Sequence, residues 1–169
     1  GIDGVTYGTH SLGPILQWME GDRVVRVCCE GSGHHYTDPR DDTYENQDSC
    51  VMLCKMAGGG LVKIRVDMLS ERPHSMSNYS LQGTKGCYES ARSKGERPKI
   101  WLKDVCEDRN TWIDLTDLEA EHMPEMWRDP TEEARKAGHG GGDYFEVMDF
   151  VNTIVDGTTC PIGIHEAMD

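Results

Sequence analysis

The sequence predicts an α+β fold: an open, mainly antiparallel β-sheet with helices on one face. Residues 49–56 (SCVMLCKM) and 61–69 (LVKIRVDML) flank Ala57-Gly58-Gly59-Gly60, two strand-like runs around a glycine-rich turn. In the second run Val62, Ile64, Val66 and Met68 alternate with Lys63, Arg65 and Asp67. That period of two puts one sheet face on a core and the other toward water or a partner. Helical patterns lie toward both ends: Leu12, Ile15, Leu16 and Met19 at i, i+3, i+4 and i+7, and Tyr144, Val147, Met148, Val151, Ile154 and Val155 later. Together these specify sheet and helices around one core.

Taken in order, a β-branched run around Val5-Thr6 ends in Gly8-Thr9-His10-Ser11, and a helix over 12–20 follows, stopped by Gly21-Asp22. Residues 23–29 (RVVRVCC) read as a strand, and 30–48 as a long polar loop. After the hairpin of 49–69, Arg72-Pro73 ends the strand. Residues 78–82 and 86–90 flank Gly83-Thr84-Lys85 as a second hairpin. Residues 99–105 and 112–115 supply two more strands around Asp108-Arg109-Asn110, with Trp101 and Trp112 packed across them. Residues 117–138 are acidic and irregular, with a helical turn or two over 131–137. The best helix follows His139-Gly-Gly-Gly142-Asp143, with Asp143 as its N-cap and Gly157 as its end. A further helix begins at His165-Glu-Ala-Met.

At 169 residues the chain is expected to form one domain spanning 1–169. Its net charge of -13 argues against a nucleic-acid partner, since phosphate-backbone binding calls for a basic patch. No apolar run approaches the ~20 residues of a membrane helix, and the first residues lack the pattern of a secretory signal. Seven cysteines, an odd number without a regular framework, point to free thiols in a reducing, cytoplasmic compartment. Five of them lie in strand-like runs, where a thiol behaves as a small buried hydrophobe.

Chemistry is expected first at Tyr7 and His10, at an element terminus where polar side chains face a cleft while apolar neighbours anchor them. An imidazole is the usual proton carrier near neutral pH, and a phenol shares a proton with a substrate hydroxyl. His139 to Asp143 is the second candidate, because glycines ahead of a helix allow close backbone approach to an oxygen-rich ligand. Arg72 and His74, just past the alternating strand, are candidate donors to a sugar or carboxylate. No strand carries G-x-G-x-x-G into a helix, so no dinucleotide site is expected, and no G-x-S-x-G elbow is present. His34-His35 with Cys28, Cys29 and Asp38, and Cys50-x-x-x-Cys54, raise a metal reading. Lacking any C-x-x-C pair, they favour buried thiols and no metal.

Tyr7-Gly-Thr-His10-Ser-Leu-Gly-Pro14, Arg72-Pro73, Leu81-Gln-Gly-Thr-Lys-Gly86 with Glu89, and His139-Gly-Gly-x-Asp143 with Phe150 and Gly157 occur in that order. Together they resemble the C-terminal domain of the Gfo/Idh/MocA family of NAD(P)-dependent sugar oxidoreductases, near the branch of NAD-dependent α-N-acetylgalactosaminidases. The resemblance implies a fragment: a substrate-binding half acting on a sugar or polyol, without the N-terminal Rossmann domain that would bind NAD or NADP, and able to form a homo-oligomer through its sheet. It implies that His10 contacts the reacting hydroxyl with Tyr7 beside it, and that His139 and Asp143 lie near the sugar. Two departures matter. The broader family often carries Asp at the positions of Thr6 and Gly13, as the glycosidase branch does not. The glycosidases carry a His-Asp pair where this chain has Val66-Asp67. That difference ranks dehydrogenation first, a glycosidase using transient C3 oxidation second, and a non-catalytic association domain third.

Overall fold

The computed structural model describes residues 7–73 and 77–164, which fall into two compact units divided at that break. The first opens on α1 (Thr9–Trp18) and continues into an antiparallel sheet of β1 (Val24–Gly31), β2 (Ser49–Met56) and β3 (Leu61–Asp67), in that spatial order. Cys50 lies opposite Val66, Met52 opposite Ile64 and Cys54 opposite Val62. Directly opposed residues share a sheet face, and with Met56 these seven side chains form the buried core. Leu12, Ile15, Leu16 and Met19 of α1 pack onto it. A stripe of period 3.6 thus lies on a face of period two, as both patterns require.

The hairpin turn explains its glycines. Gly59 takes φ +101°, and a Cβ at Gly60 would stand 2.7 Å from the Met19 Cε. The left-handed φ calls for glycine at 59, and a side chain at 60 would push the flexible Met19 tip aside. The Asp22 carboxylate, just past the helix, accepts from the Gly58 amide at 2.9 Å and ties the two segments together.

β1 is an edge strand with a register shift between Val24 and Arg26. Cys28 and Cys29 are exposed there, which corrects the expectation of buried thiols; only Cys50 and Cys54 fulfil it. Cys29 faces Met52 and so shares the core face, but the α1 stripe packs over the buried positions of β2 and β3. All seven cysteines are free.

The second unit holds a separate antiparallel sheet, β4 (Ser80–Gln82), β5 (Gly86–Glu89), β6 (Lys99–Leu102) and β7 (Ile113–Asp114), in chain order. The strands expected over 23–115 are all present, though divided between two sheets. β6 stops short of 105 because the chain turns back, the Cys106 amide bonding the Leu102 carbonyl at 2.9 Å. The acidic stretch expected to be irregular contains α2 (Glu119–His122), α3 (Glu125–Arg128) and α4 (Glu132–Lys136), with Pro124 and Pro130 between them. Thr131 caps α4 by accepting from the Ala134 amide at 3.2 Å.

α5 (Gly142–Asp156) is the longest helix, and Gly157, at φ +64°, ends it in the left-handed region as expected. Its N-cap is Gly141 rather than Asp143, which lies inside the first turn. The expected apolar face exists, but Val147, Val151, Ile154 and Val155 on it are exposed, as is Phe150 beside it. Among the described residues no helix is long and apolar enough to cross a membrane. The strand expected around Val5-Thr6 and the helix from His165 lie outside the described residues.

The first unit makes a direct test of this packing. Met56 is 1% exposed in the core, so Met56→Ala is expected to cost about 2–5 kcal/mol in urea unfolding. Leu61→Ala, on the opposite sheet face and 67% exposed, is expected to cost under about 0.5 kcal/mol.

Candidate functional site

Tyr7 and His10 stand at the head of α1. His10 precedes Leu12 by two residues, about 160° around the helix from the stripe that packs on the sheet. Burial of the stripe therefore turns the imidazole outward, and both side chains are exposed. Their rings stack, with centroids 4.7 Å apart and planes 14° from parallel. This brings a phenol and an imidazole together on a backbone held from its other side, a workable geometry for passing a proton to or from a hydroxyl.

Arg72 is exposed in a bend after β3, and His74 lies outside the described residues. His139 and Asp143, in the second unit, bond to each other, Nδ1 to Oδ1 at 2.7 Å. The glycines around them serve the turn itself. Gly141 takes φ +104°, where a Cβ would stand 3.1 Å from the Ala134 carbonyl oxygen, and a Cβ at Gly138 would stand 2.3 Å from the Asp143 Oδ2. A side chain at 141 would be strained by that φ and crowd a backbone oxygen, whereas one at 138 would have to displace the Asp143 carboxylate. His139 itself has φ +52° and an 84% exposed side chain.

At the Val66-Asp67 step the two side chains part. Val66 is buried beneath α1, while the Asp67 carboxylate accepts from the Ser70 amide at 3.0 Å and pairs with Arg65. Burial acts to raise the Asp67 pKa, but the Ser70 hydrogen bonds and then the Arg65 guanidinium outweigh it. The carboxyl is held below the ordinary carboxylate range.

One pair was not foreseen. Asp48, 3% exposed, accepts through Oδ2 from the His35 amide at 2.7 Å and bonds the His35 Nδ1 at 2.6 Å. Its Oδ1 is buried without a partner among the described residues. The pair joins residues 13 apart across an aperiodic loop, so only the isolated acid before β2 could have signalled it. The other residues of the metal reading go elsewhere. Asp38 binds Arg40, and the His34 Nδ1 meets the Asn46 carbonyl. Among the described residues no group of three or more His, Cys, Asp or Glu is placed to hold a metal ion. Burial, with Cys29 nearby, pushes the Cys54 thiol above its ordinary pKa, which keeps it protonated and unreactive.

The two-unit α+β fold recurs in a solved structure. An oxidoreductase from Agrobacterium radiobacter, solved with NAD+, L-tartaric acid and magnesium, shares that fold with a TM-score of 0.55. The identity is 16%, over 91% of this chain and 39% of that one. The model of the glycosyl hydrolase 109 C-terminal domain matches residues 2–169, and the chain belongs to that family, consistent with the C-terminal domain of Gfo/Idh/MocA proteins. A glycosyl hydrolase family 109 protein of Saccharopolyspora erythraea is 26% identical over 99% of this chain and 38% of its own length. An alpha-N-acetylgalactosaminidase of Tannerella forsythia is 25% identical over 98% and 37%. The chain therefore spans under two-fifths of the length of these relatives.

The Asp67 environment predicts a pH signature. A carboxylate whose folded pKa is depressed contributes stability above its unfolded value of about 3.9, and that contribution is lost as pH falls through the folded value. Asp67→Asn is therefore expected to unfold at lower urea than the parent at about pH 6, with the gap closing toward about pH 2. Equal midpoints throughout would remove the pair from the account of this strand end.

Proposed function

We propose that this chain is the substrate-binding part of an NAD(P)-dependent enzyme acting on a sugar, with His10 as its acid–base residue and Tyr7 as its partner. The observation that carries the reading is the stacked, exposed pair at the head of α1 in a chain of the glycosyl hydrolase 109 C-terminal family. Arg72 and His74 of the first unit, and separately His139 and Asp143 of the second, are assigned to sugar contacts. The cofactor does not fit this chain, which has no glycine fingerprint between strand and helix. Hydride acceptance is the chemistry of a companion Rossmann domain, and the residues here handle the proton.

Within that frame, family membership favours a glycosidase that oxidises its sugar transiently and restores it. Oxidation at C3 acidifies the C–H at C2; loss of that proton expels the aglycone from C1, and water then adds in its place. His10 takes the hydroxyl proton in the first half and returns it in the second. A second reading, net dehydrogenation, rests on one observation: Val66, apolar and buried, stands where the glycosidase branch carries histidine. A third reading, association with a second copy, would use the outer sheet face around Lys63, Arg65 and Asp67, where Val51, Leu53 and Leu61 are exposed.

In the full-length enzyme His10→Ala is expected to lower turnover by about 100-fold or more, the loss typical of a missing acid–base group. A fall of less than about threefold would reduce His10 to a structural residue. A nitrophenyl glycoside with NAD separates the two chemistries. Colour without net NADH identifies the restoring glycosidase, and NADH from a free sugar identifies the dehydrogenase.

A further inference from the structure

The register of the second sheet sorts its side chains into two unlike faces. Leu81, Tyr88, Ile100 and Ile113 lie opposite one another on one face. Gln82, Cys87 and Trp101 share the other with Ser80, Glu89, Lys99 and Asp114. An indole on such a polar face is not there to fill a core. Trp101 and Trp112 together line an open cleft of about 280 Å³, with Cys87, Arg109, Asn110 and Thr111 completing it. The expectation that the two indoles pack across the strands therefore gives way to a shared cleft.

The walls are built rather than incidental. The Trp101 Nε1 donates to the Asp108 carbonyl at 3.0 Å, which fixes that indole. The Asp108 carboxylate accepts from the Asn110 amide at 3.0 Å and from the Thr111 hydroxyl. These bonds hold the Asp108–Thr111 turn with Arg109, Asn110 and Thr111 at the rim. On the far side the Lys99 ammonium lies 4.8 Å from the Trp112 ring centroid, itself anchored to Glu89 at 3.1 Å. The Arg109 guanidinium has no ion pair or hydrogen bond among the described residues, in a chain of net charge -13.

We infer that this cleft binds a carbohydrate. An indole face presents a flat, polarisable surface that complements the C–H faces of a pyranose ring. Arg109, Asn110 and Thr111 supply N–H and O–H donors at the edge, where ring hydroxyls and acyl oxygens project. The same indoles would stack a nucleobase, but the negative charge of the chain opposes the phosphates that come with one. Apolar rings with a few polar groups at the rim are the lining small-molecule sites take. The site uses residues of the second unit alone, and none of them has a part in the reaction assigned to His10.

The test is an NMR titration of the chain, following its four indole N–H signals, with methyl α-N-acetylgalactosaminide, N-acetyllactosamine and chitotriose as probes. Saturable shifts at Trp101 and Trp112, with Trp18 and Trp127 unmoved, are expected for at least one probe. Trp112→Ala is expected to weaken that Kd by about tenfold or more. Arg109→Ala, which removes an exposed side chain and leaves the packing intact, is expected to weaken it as well. His10→Ala is expected to leave the Kd unchanged, so loss of turnover in that variant bears on the reaction and the indole shifts bear on the cleft. No saturable shift by about 10 mM with any probe overturns the inference, as do shifts that survive both cleft variants.

Discussion

The first unit depends on one fit: a helical stripe of four side chains laid on the buried face of a two-strand hairpin. Met52, Cys54, Met56 and their β3 partners leave no room for water only because Leu12, Ile15, Leu16 and Met19 cover them. The same contact sets the direction of everything else on α1. A helix with one face committed to a sheet has no freedom to choose where its remaining side chains point, so His10 faces outward as a consequence of burial, with Tyr7, just ahead of the helix, stacked on it. The Gly60–Met19 approach and the Asp22–Gly58 bond lock the far end of the helix to the hairpin turn. The acid–base role proposed for the pair calls for a backbone held still, and the opposite face of the same helix supplies that hold.

Much of this was legible in the residues. Strict alternation in 61–67 and the i, i+3, i+4, i+7 stripe from Leu12 each have one structural solution, and both were found. What failed to show had a common cause: it depends on contacts that no local pattern encodes. Cys28 and Cys29 read as buried because strand-like apolar runs imply a covered face, yet an edge strand lies beyond the helix that does the covering. The Asp48–His35 pair spans a loop with no period to detect. At the head of α5 the choice between Asp143 and Gly141 as cap turned on backbone angles. Two consecutive glycines in the left-handed region wind the chain once more before the helix starts. The division of the strands into two sheets was equally hidden, because alternation specifies a face and not a neighbour.

The glycines from 138 to 142 illustrate how a motif can carry structure and chemistry at once. Gly141 is forced by its φ and by the nearby Ala134 carbonyl, and Gly138 by the Asp143 carboxylate. Their presence is fully accounted for by a turn that sets His139 against Asp143. The imidazole that results is exposed, with one nitrogen committed to a carboxylate, and its other nitrogen is left for whatever approaches.

Val66 bears most directly on the chemistry. It lies on the α1 side of β3, in the buried set with Ile64 and Val62, whereas Asp67 turns to the other face. A histidine at that position, as the glycosidase branch carries, would stand beneath the same helix that bears Tyr7 and His10. A valine there adds apolar burial on the order of 1.5–3 kcal/mol and removes a titratable group from that side of the sheet. In the reading proposed above, proton handling on the α1 side then falls to the Tyr7–His10 pair, whose rings stack at the head of that helix.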